Sequence, residues 1–113
     1  MSDCLFCKIV AGEIPAEPVY RDDLVLAIPD VNPQAPLHLL VMPVRHAADV
    51  AQLAEGEEDA TIAAVFSTAA LLGSRHAPGG FRLVANTGND GGQTVGHFHV
   101  HVIGGRRMEW PPG

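Results

Sequence analysis

Three of the six histidines in this chain fall in one short run, His97-Phe98-His99-Val100-His101-Val102-Ile103. Side chains along an extended strand alternate between its two faces. The run therefore reads as a strand with His97, His99 and His101 on one side, about 7 Å apart, and Phe98, Val100 and Val102 on the other. The second side packs a core. On the first, crowded imidazoles disfavour one another's charged form, and each buried ring needs a hydrogen-bond partner. A chain carrying such a strand is constrained to a sheet with one packed face and one face that does chemistry.

The remaining sequence supplies that sheet. Val19-Tyr20-Arg21 and Leu24 to Ile28 flank Asp22-Asp23, and because Asp tolerates the positive φ of a tight turn, the segment predicts a hairpin. Pro29, Pro33 and Pro36 make the next stretch an irregular loop, which leads into a third strand, Leu37 to Val41, closed by Pro43. Asp49 and Gln52 have capping-box spacing, and Ile62, Val65, Phe66, Ala69 and Leu72 recur at three and four residues. These predict a long helix within 49–76, its main part starting near Gly56, with Glu55, Glu57, Glu58 and Asp59 at the positive end of the helix dipole. Phe81–Asn86 and Val95–Ile103 predict two further strands, separated by the turn-rich Thr87-Gly88-Asn89-Asp90-Gly91-Gly92. Short strands with tight connections and one dominant helix point to the α+β class, an antiparallel sheet covered on one face.

Composition limits the function classes. The 113 residues suffice for one domain, and 47% hydrophobic with 18% charged residues excludes a disordered chain. Seven Lys and Arg against thirteen Asp and Glu give a net charge of −6, and the basic residues are scattered, which excludes a nucleic-acid partner. A phosphate-bearing small molecule would have to be met by backbone N–H groups and histidines. No apolar run approaches the roughly 18 residues of a membrane span, and Met1-Ser2-Asp3-Cys4 lacks the regions of a signal peptide, so the expectation is a cytoplasmic protein without membrane contact.

The histidine run by itself supports two chemistries. Alternating histidines can hold a catalytic metal, completed by a carboxylate or another histidine. Alternatively one histidine is the nucleophile, and its neighbours orient it and keep it neutral. Gly91-Gly92-Gln93-Thr94, just upstream, offers flexible backbone N–H groups, an amide and a hydroxyl, suited to phosphate oxygens without Lys or Arg. The second chemistry fits better.

With this run and its upstream loop, the sequence closely resembles the histidine-triad family, specifically its branch of histidine-triad nucleotide-binding proteins. The resemblance extends to Asp30-Val31-Asn32-Pro33-Gln34-Ala35-Pro36-Leu37-His38, to Asn86, and to Gly104-Gly105-Arg106 through Trp110-Pro111-Pro112-Gly113, nearly the whole chain in the family's order. It implies a single domain over residues 1–113, with an antiparallel sheet of about five strands, one long and one short helix, and a sheet continued across a homodimer. Residues 104–113 would form a C-terminal tail near the dimer interface, with Trp110 reaching toward the partner's site. The implied activity is cleavage of the P–N bond of purine nucleoside 5′-phosphoramidates through a nucleotidyl-histidine intermediate, without a catalytic cofactor. AMP, GMP and their phosphoramidates are the implied ligands. The alternatives are a dinucleoside polyphosphate hydrolase and a regulatory nucleotide-binding protein with vestigial activity.

Carried over by position, His99 would be the nucleophile, and His101 and His38 would bond phosphate oxygens or assist the leaving group. Gly92, Gln93, Thr94 and Asn86 would line the phosphate side, and Asp30 would clamp the ribose hydroxyls. Phe6, Ile9, Ile14, Ile28 and Val31 would sandwich the base. Thr94 stands where the family often has serine, and Ile28 where it often has an aromatic. The C-x-x-C at Cys4 and Cys7 is a weak signal alone, compatible with two reduced thiols on a short helix. The resemblance implies a structural zinc held by Cys4, Cys7, His46 and His97.

Overall fold

The computed structural model describes residues 3–113; Met1 and Ser2 lie outside the described residues. The elements in chain order are α1 (Leu5–Val10), β1 (Tyr20–Arg21), β2 (Val25–Pro29), β3 (Leu37–Pro43), α2 (Val50–Glu55), α3 (Asp59–His76), β4 (Phe81–Val84) and β5 (Val100–Gly104). The five strands form one sheet in the order β1-β2-β3-β5-β4, antiparallel throughout. The α+β expectation holds. So does the hairpin: Asp22 Oδ1 accepts from the backbone N–H groups of Leu24 and Val25, both at 2.8 Å, and so folds the turn.

Alternation along the strands divides the apolar residues between the two faces. One face carries Val25, Ala27, Leu39, Val41, Val100 and Val102, which pack with Phe98 against Leu53 of α2 and Val65, Ala69 and Leu72 of α3. Phe81 also lies close to α3: a Cβ on Gly73 would come within 2.6 Å of its ring, so the helix can sit this near only with glycine there. The opposite face carries Leu26, Ile28, Leu40 and Met42, covered by Phe6, with Cys4, Ile9, Val10 and Val95 packed against them. The sheet is thus partly covered on its second face too, by the segment around α1.

Two elements differ from the sequence reading. The predicted long helix is two helices. Asp49 caps α2 as its spacing predicts, Oδ1 accepting from Gln52 N–H at 2.8 Å, but the chain turns at Gly56–Glu58, where Glu57 takes a left-handed φ of 58°. Glu58 precedes α3 without capping it, because its carboxylate pairs with Arg45 instead. The turn lets Leu53, 1% exposed, and Val65, fully buried, reach the same core from separate axes. Asp59 alone of the acidic group stands in the first turn of α3.

The second difference concerns the histidine run, where the strand starts at Val100 rather than Val95. The register that pairs Val41 with Val100 would next bring Phe98 opposite Pro43. Proline has no N–H to give a ladder, the Pro43 carbonyl is taken by His97 Nε2 at 2.9 Å, and the Phe98 N–H turns to the Ala47 carbonyl at 2.7 Å. The ladder ends there. β4 likewise stops at Val84, so Asn86 lies two residues beyond it.

Candidate active site and metal centre

The strand register brings distant residues together. Leu40 pairs with His101 and His38 with Ile103, so His38 and His101 are diagonal neighbours on the α1 face of the sheet. Asp30, just past β2, donates its N–H to the His38 carbonyl at 3.0 Å, and its Oδ2 lies 3.3 Å from His38 Nε2 and 4.0 Å from His101 Nδ1. His99, just before the ladder begins at Val100, places its ring 5.0 Å from that of His101.

Hydrogen-bond accounting assigns the protons. His99 Nδ1 lies 2.7 Å from the His97 carbonyl, which can only accept, so Nδ1 carries the hydrogen and Nε2 keeps the lone pair. At His38 the order is reversed. Gln34 donates its backbone N–H to Nδ1 at 3.0 Å, so the His38 hydrogen is on Nε2, 2.9 Å from His101 Nδ1. His101 accepts it and must carry its own hydrogen on Nε2. Burial, then the neighbouring His99 and His38, pushes the His101 imidazole down to about 4, with Asp30 opposing. The ring is neutral at pH 7 and donates from Nε2.

Around the N-terminal helix a second group converges. Cys4 Sγ and Cys7 Sγ lie 3.2 and 3.5 Å from His97 Nδ1, and His46 Nδ1 lies 3.3 Å from both His97 Nδ1 and Cys7 Sγ. His97 is fully buried, and its Nε2 hydrogen goes to the Pro43 carbonyl, which leaves the Nδ1 lone pair facing both sulfurs and His46. Burial first, then His46 and His99, holds His97 below the ordinary imidazole range, against the pull of the Pro43 carbonyl. All four donor atoms lie within 4.8 Å of one another. Four donors around zinc at ordinary bond lengths would be separated by about 3.3 to 3.8 Å, so the Cys₂His₂ set fits that ion in both chemistry and spacing.

Asp30, His38 and His101 also gather within 4.8 Å, but their proton order argues against a metal. The His38 Nε2 that faces the other two carries a hydrogen, fixed there by the Gln34 N–H on the far side of the ring.

An apolar cleft of about 370 Å³ lies beside Asp30, lined by Leu5, Ile9, Ile14 and Ile28 with Val31 and Glu17 at its edge. Four of the five residues the sequence suggests for a base are gathered there. Phe6 is not: it is 4% exposed, with its ring edge-on to His99 at 5.0 Å and 88°. Gln93 is committed to the backbone, its Nε2 donating to Ala48 and Val95 carbonyls at 2.7 and 3.0 Å while Oε1 accepts from Gly88 N–H at 3.0 Å. Gly91 approaches Thr87 so closely that a Cβ would meet its carbonyl oxygen at 2.3 Å. Gly92 has φ 81°, and Thr94 is exposed in a cavity shared with Asp3, Cys4, Leu5 and His46. Asn86 is half-buried. Trp110 is 81% exposed and stands over the Arg82 guanidinium at 6.0 Å.

Glu17, Leu5 and the Gln34 N–H escape the sequence reading. Leu5 is four residues before Ile9 on α1, a spacing that could have marked it, whereas nothing in the sequence marks a backbone amide.

The family model for the HIT domain matches residues 11–108. The chain is 46% identical to an uncharacterized HIT-like protein of Synechococcus elongatus over 98% of its own length and 97% of that protein. It is 44% identical to a 14 kDa zinc-binding protein of Brassica juncea, over 98% of this chain and all of that one. Among solved structures it superposes on a HIT family hydrolase from Legionella pneumophila with a TM-score of 0.91 and 43% identity, covering 98% of this chain and 100% of that chain. A HIT family hydrolase from Clostridium thermocellum gives a TM-score of 0.89 at 37% identity, with 96% of each chain covered. With its fold, its histidine run and nearly its full length matched, the chain belongs to the HIT domain family.

Proposed function

We propose that this HIT family protein is a nucleoside phosphoramidase of the histidine-triad nucleotide-binding branch, cleaving the P–N bond of purine nucleoside 5′-phosphoramidates. The observation that carries this reading is the His99 ring, 6% exposed, with its Nδ1 hydrogen held by the His97 carbonyl and its Nε2 lone pair free of that bond. A neutral imidazole so held is a ready nucleophile at neutral pH. Nε2 attacks the α-phosphorus and the P–N bond breaks. The leaving nitrogen takes the His101 Nε2 hydrogen, which a proton from solvent replaces, while the His38 N–H stays hydrogen-bonded to His101 Nδ1 and holds that ring in place. Water then attacks the nucleotidyl-histidine, giving AMP, and its proton returns to solvent. The net reaction is phosphoramidate plus water to nucleotide plus amine.

Asp30 is the ribose clamp in this reading, and Ile9, Ile14, Ile28 and Val31 hold the base in the cleft beside it. Gly92, Gln93, Thr94 and Asn86 belong to the phosphate side, with Gln93 acting through the loop shape its amide fixes. A net charge of −6, with no Lys in the loop, suits a singly charged phosphoramidate better than a polyphosphate. Zinc on Cys4, Cys7, His46 and His97 would supply a structural crosslink between the N-terminus and the histidine run. The reading includes a cytoplasmic, single-domain homodimer joined at the unpartnered edge of β4, with the 104–113 tail and Trp110 at that interface. No helix among the described residues is long and apolar enough to cross a membrane.

The test is hydrolysis of adenosine 5′-phosphoramidate to AMP by the wild type and by His99→Ala, both checked for folding. Turnover is expected from the wild type and a loss of about 10⁴ to 10⁶ in the variant. Near-normal turnover by the variant would sink the mechanism. Bound AMP without turnover by either protein would favour a binding role, and preferential cleavage of diadenosine polyphosphates the hydrolase alternative.

A further inference from the structure

Helix α1 presents two different surfaces. Leu5 and Ile9, one turn apart, line the apolar cleft. Phe6 lies between them in sequence, yet it turns into the protein with Leu26, Ile28, Leu40 and Met42. Its ring meets two histidines edge-on, His99 at 5.0 Å and 88° and His97 at 5.8 Å and 73°. We propose that Phe6 is a positioning residue for the nucleophile rather than a wall for the base, and that it ties the His99 ring to the Cys/His cluster.

One hydrogen bond does not fix an imidazole. With Nδ1 tethered to the His97 carbonyl, the His99 ring can still swing about that tether and carry Nε2 off line. Two ring contacts restrict the swing: Phe6, and His101 with centroids 5.0 Å apart and planes at 65°. Edge-to-face geometry of this kind is a preferred aromatic arrangement and orients the ring as well as packing it.

Phe6 is itself held from both directions. Cys4 precedes it by two residues and Cys7 follows it directly; both sulfurs face His97 Nδ1, and the Cys7 N–H donates back to Cys4 Sγ at 3.3 Å. The His97 whose ring these sulfurs face is the residue whose carbonyl tethers His99. The cluster therefore locates both partners of the Phe6–His99 contact, which gives the N-terminal helix a task in the chemical step distinct from the one Leu5 and Ile9 have at the cleft.

This inference rests on His99 being the nucleophile, and the test separates the two claims. Zinc-loaded wild type, Phe6→Leu and Ile9→Ala are compared for zinc content, kcat and KM with adenosine 5′-phosphoramidate, Kd for AMP, and the ¹⁵N-detected ring signals of His99. Phe6→Leu is expected to keep its zinc and to bind AMP within about twofold of wild type, while kcat falls about tenfold and the His99 ring signals shift or broaden, because small misplacements of a reacting group are costly. Ile9→Ala should place its loss on KM and Kd. If Phe6→Leu fails to fold, Phe6→Met, closer in volume, takes its place. The proposal is overturned if the Phe6 variant weakens AMP as Ile9→Ala does with kcat unmoved, or if kcat and ring signals both stay at wild-type values. Absence of turnover by the wild type would defeat the phosphoramidase reading alone; the His99 ring signals would still decide the role of Phe6.

Discussion

Cys4, Cys7, His46 and His97 form one cluster, and Asp30, His38 and His101 another, each gathering its donor atoms within 4.8 Å. Both contain histidines from the same face of the sheet, and proximity alone would make either a metal site. The bond on the far side of one ring separates them. At His97 the far nitrogen donates to the Pro43 carbonyl, so a lone pair faces the cluster. At His38 the far nitrogen accepts from the Gln34 N–H, so a hydrogen faces the cluster. An acceptor behind the ring leaves a lone pair toward the cluster and a donor behind it leaves an N–H there, so the backbone decides what each cluster can offer a bound group.

Metal content gives the largest contrast. Protein expressed with zinc is expected to hold about one ion per chain, and Cys4→Ala/Cys7→Ala close to none, with a large loss of stability, because binding at a structural zinc site is coupled to folding. His38→Gln should keep its zinc. Retention by the double cysteine variant, or loss in His38→Gln, would break the assignment. The next effect is on rate: His38→Ala is expected to lower phosphoramidate turnover by about 10² to 10³, the usual scale for proton transfer, because His38 holds the His101 ring in place. An unchanged rate would show that the hydrogen bond from His38 to His101 has no part in turnover.

A smaller effect concerns acid. His101 titrates near 4 in the folded chain and near 6.5 unfolded. Above about pH 6.5 both forms are neutral and the group contributes nothing to the pH dependence. Between about 6.5 and 4 the unfolded chain binds the additional proton, so stability falls as the pH falls through that window. Denaturant melts across it should give a shallower slope for His101→Gln than for the wild type. Equal slopes would mean that His101 is not held down by its burial beside His99 and His38.

Much of this contrast was legible in the sequence and part was not. The period of two in the histidine run separates Phe98, Val100 and Val102 from the three histidines, and the structure keeps that division although the strand itself begins only at Val100. The strand's start depends on Pro43 meeting the run in register, a pairing between residues 55 positions apart that no local pattern reveals. The spacing of Ile62 to Leu72 finds α3, but the capping-box spacing at Asp49 carries the same helix back through Gly56–Glu58, because a cap marks where a helix starts and not where it ends. The resemblance brings Cys4, Cys7, His46 and His97 together. The proton order at His38 depends on a main-chain amide in the Asn32–Pro36 loop, and main-chain amides leave no trace in side-chain identity.

The smallest expected effect tests whether the two clusters are mechanically separate. Residues 47–49 are a joint on the His46 side: Ala47 accepts from Phe98 N–H, Ala48 accepts from Gln93 Nε2 and donates to Gln52 Oε1 at 2.6 Å, and Asp49 caps α2. Asp30 and His38 are tied instead to each other and to Gln34, with no hydrogen bond to that joint among the described residues. Asp49→Ala should therefore cost about 1 kcal/mol of stability, the usual worth of a cap, and lower Tm by about 4 °C. Zinc should be held somewhat less tightly, since His46 lies three residues before the lost cap, and AMP affinity should not change. A drop in AMP affinity matching the loss in zinc affinity would show that the sheet transmits strain between the clusters and that their separation is chemical only.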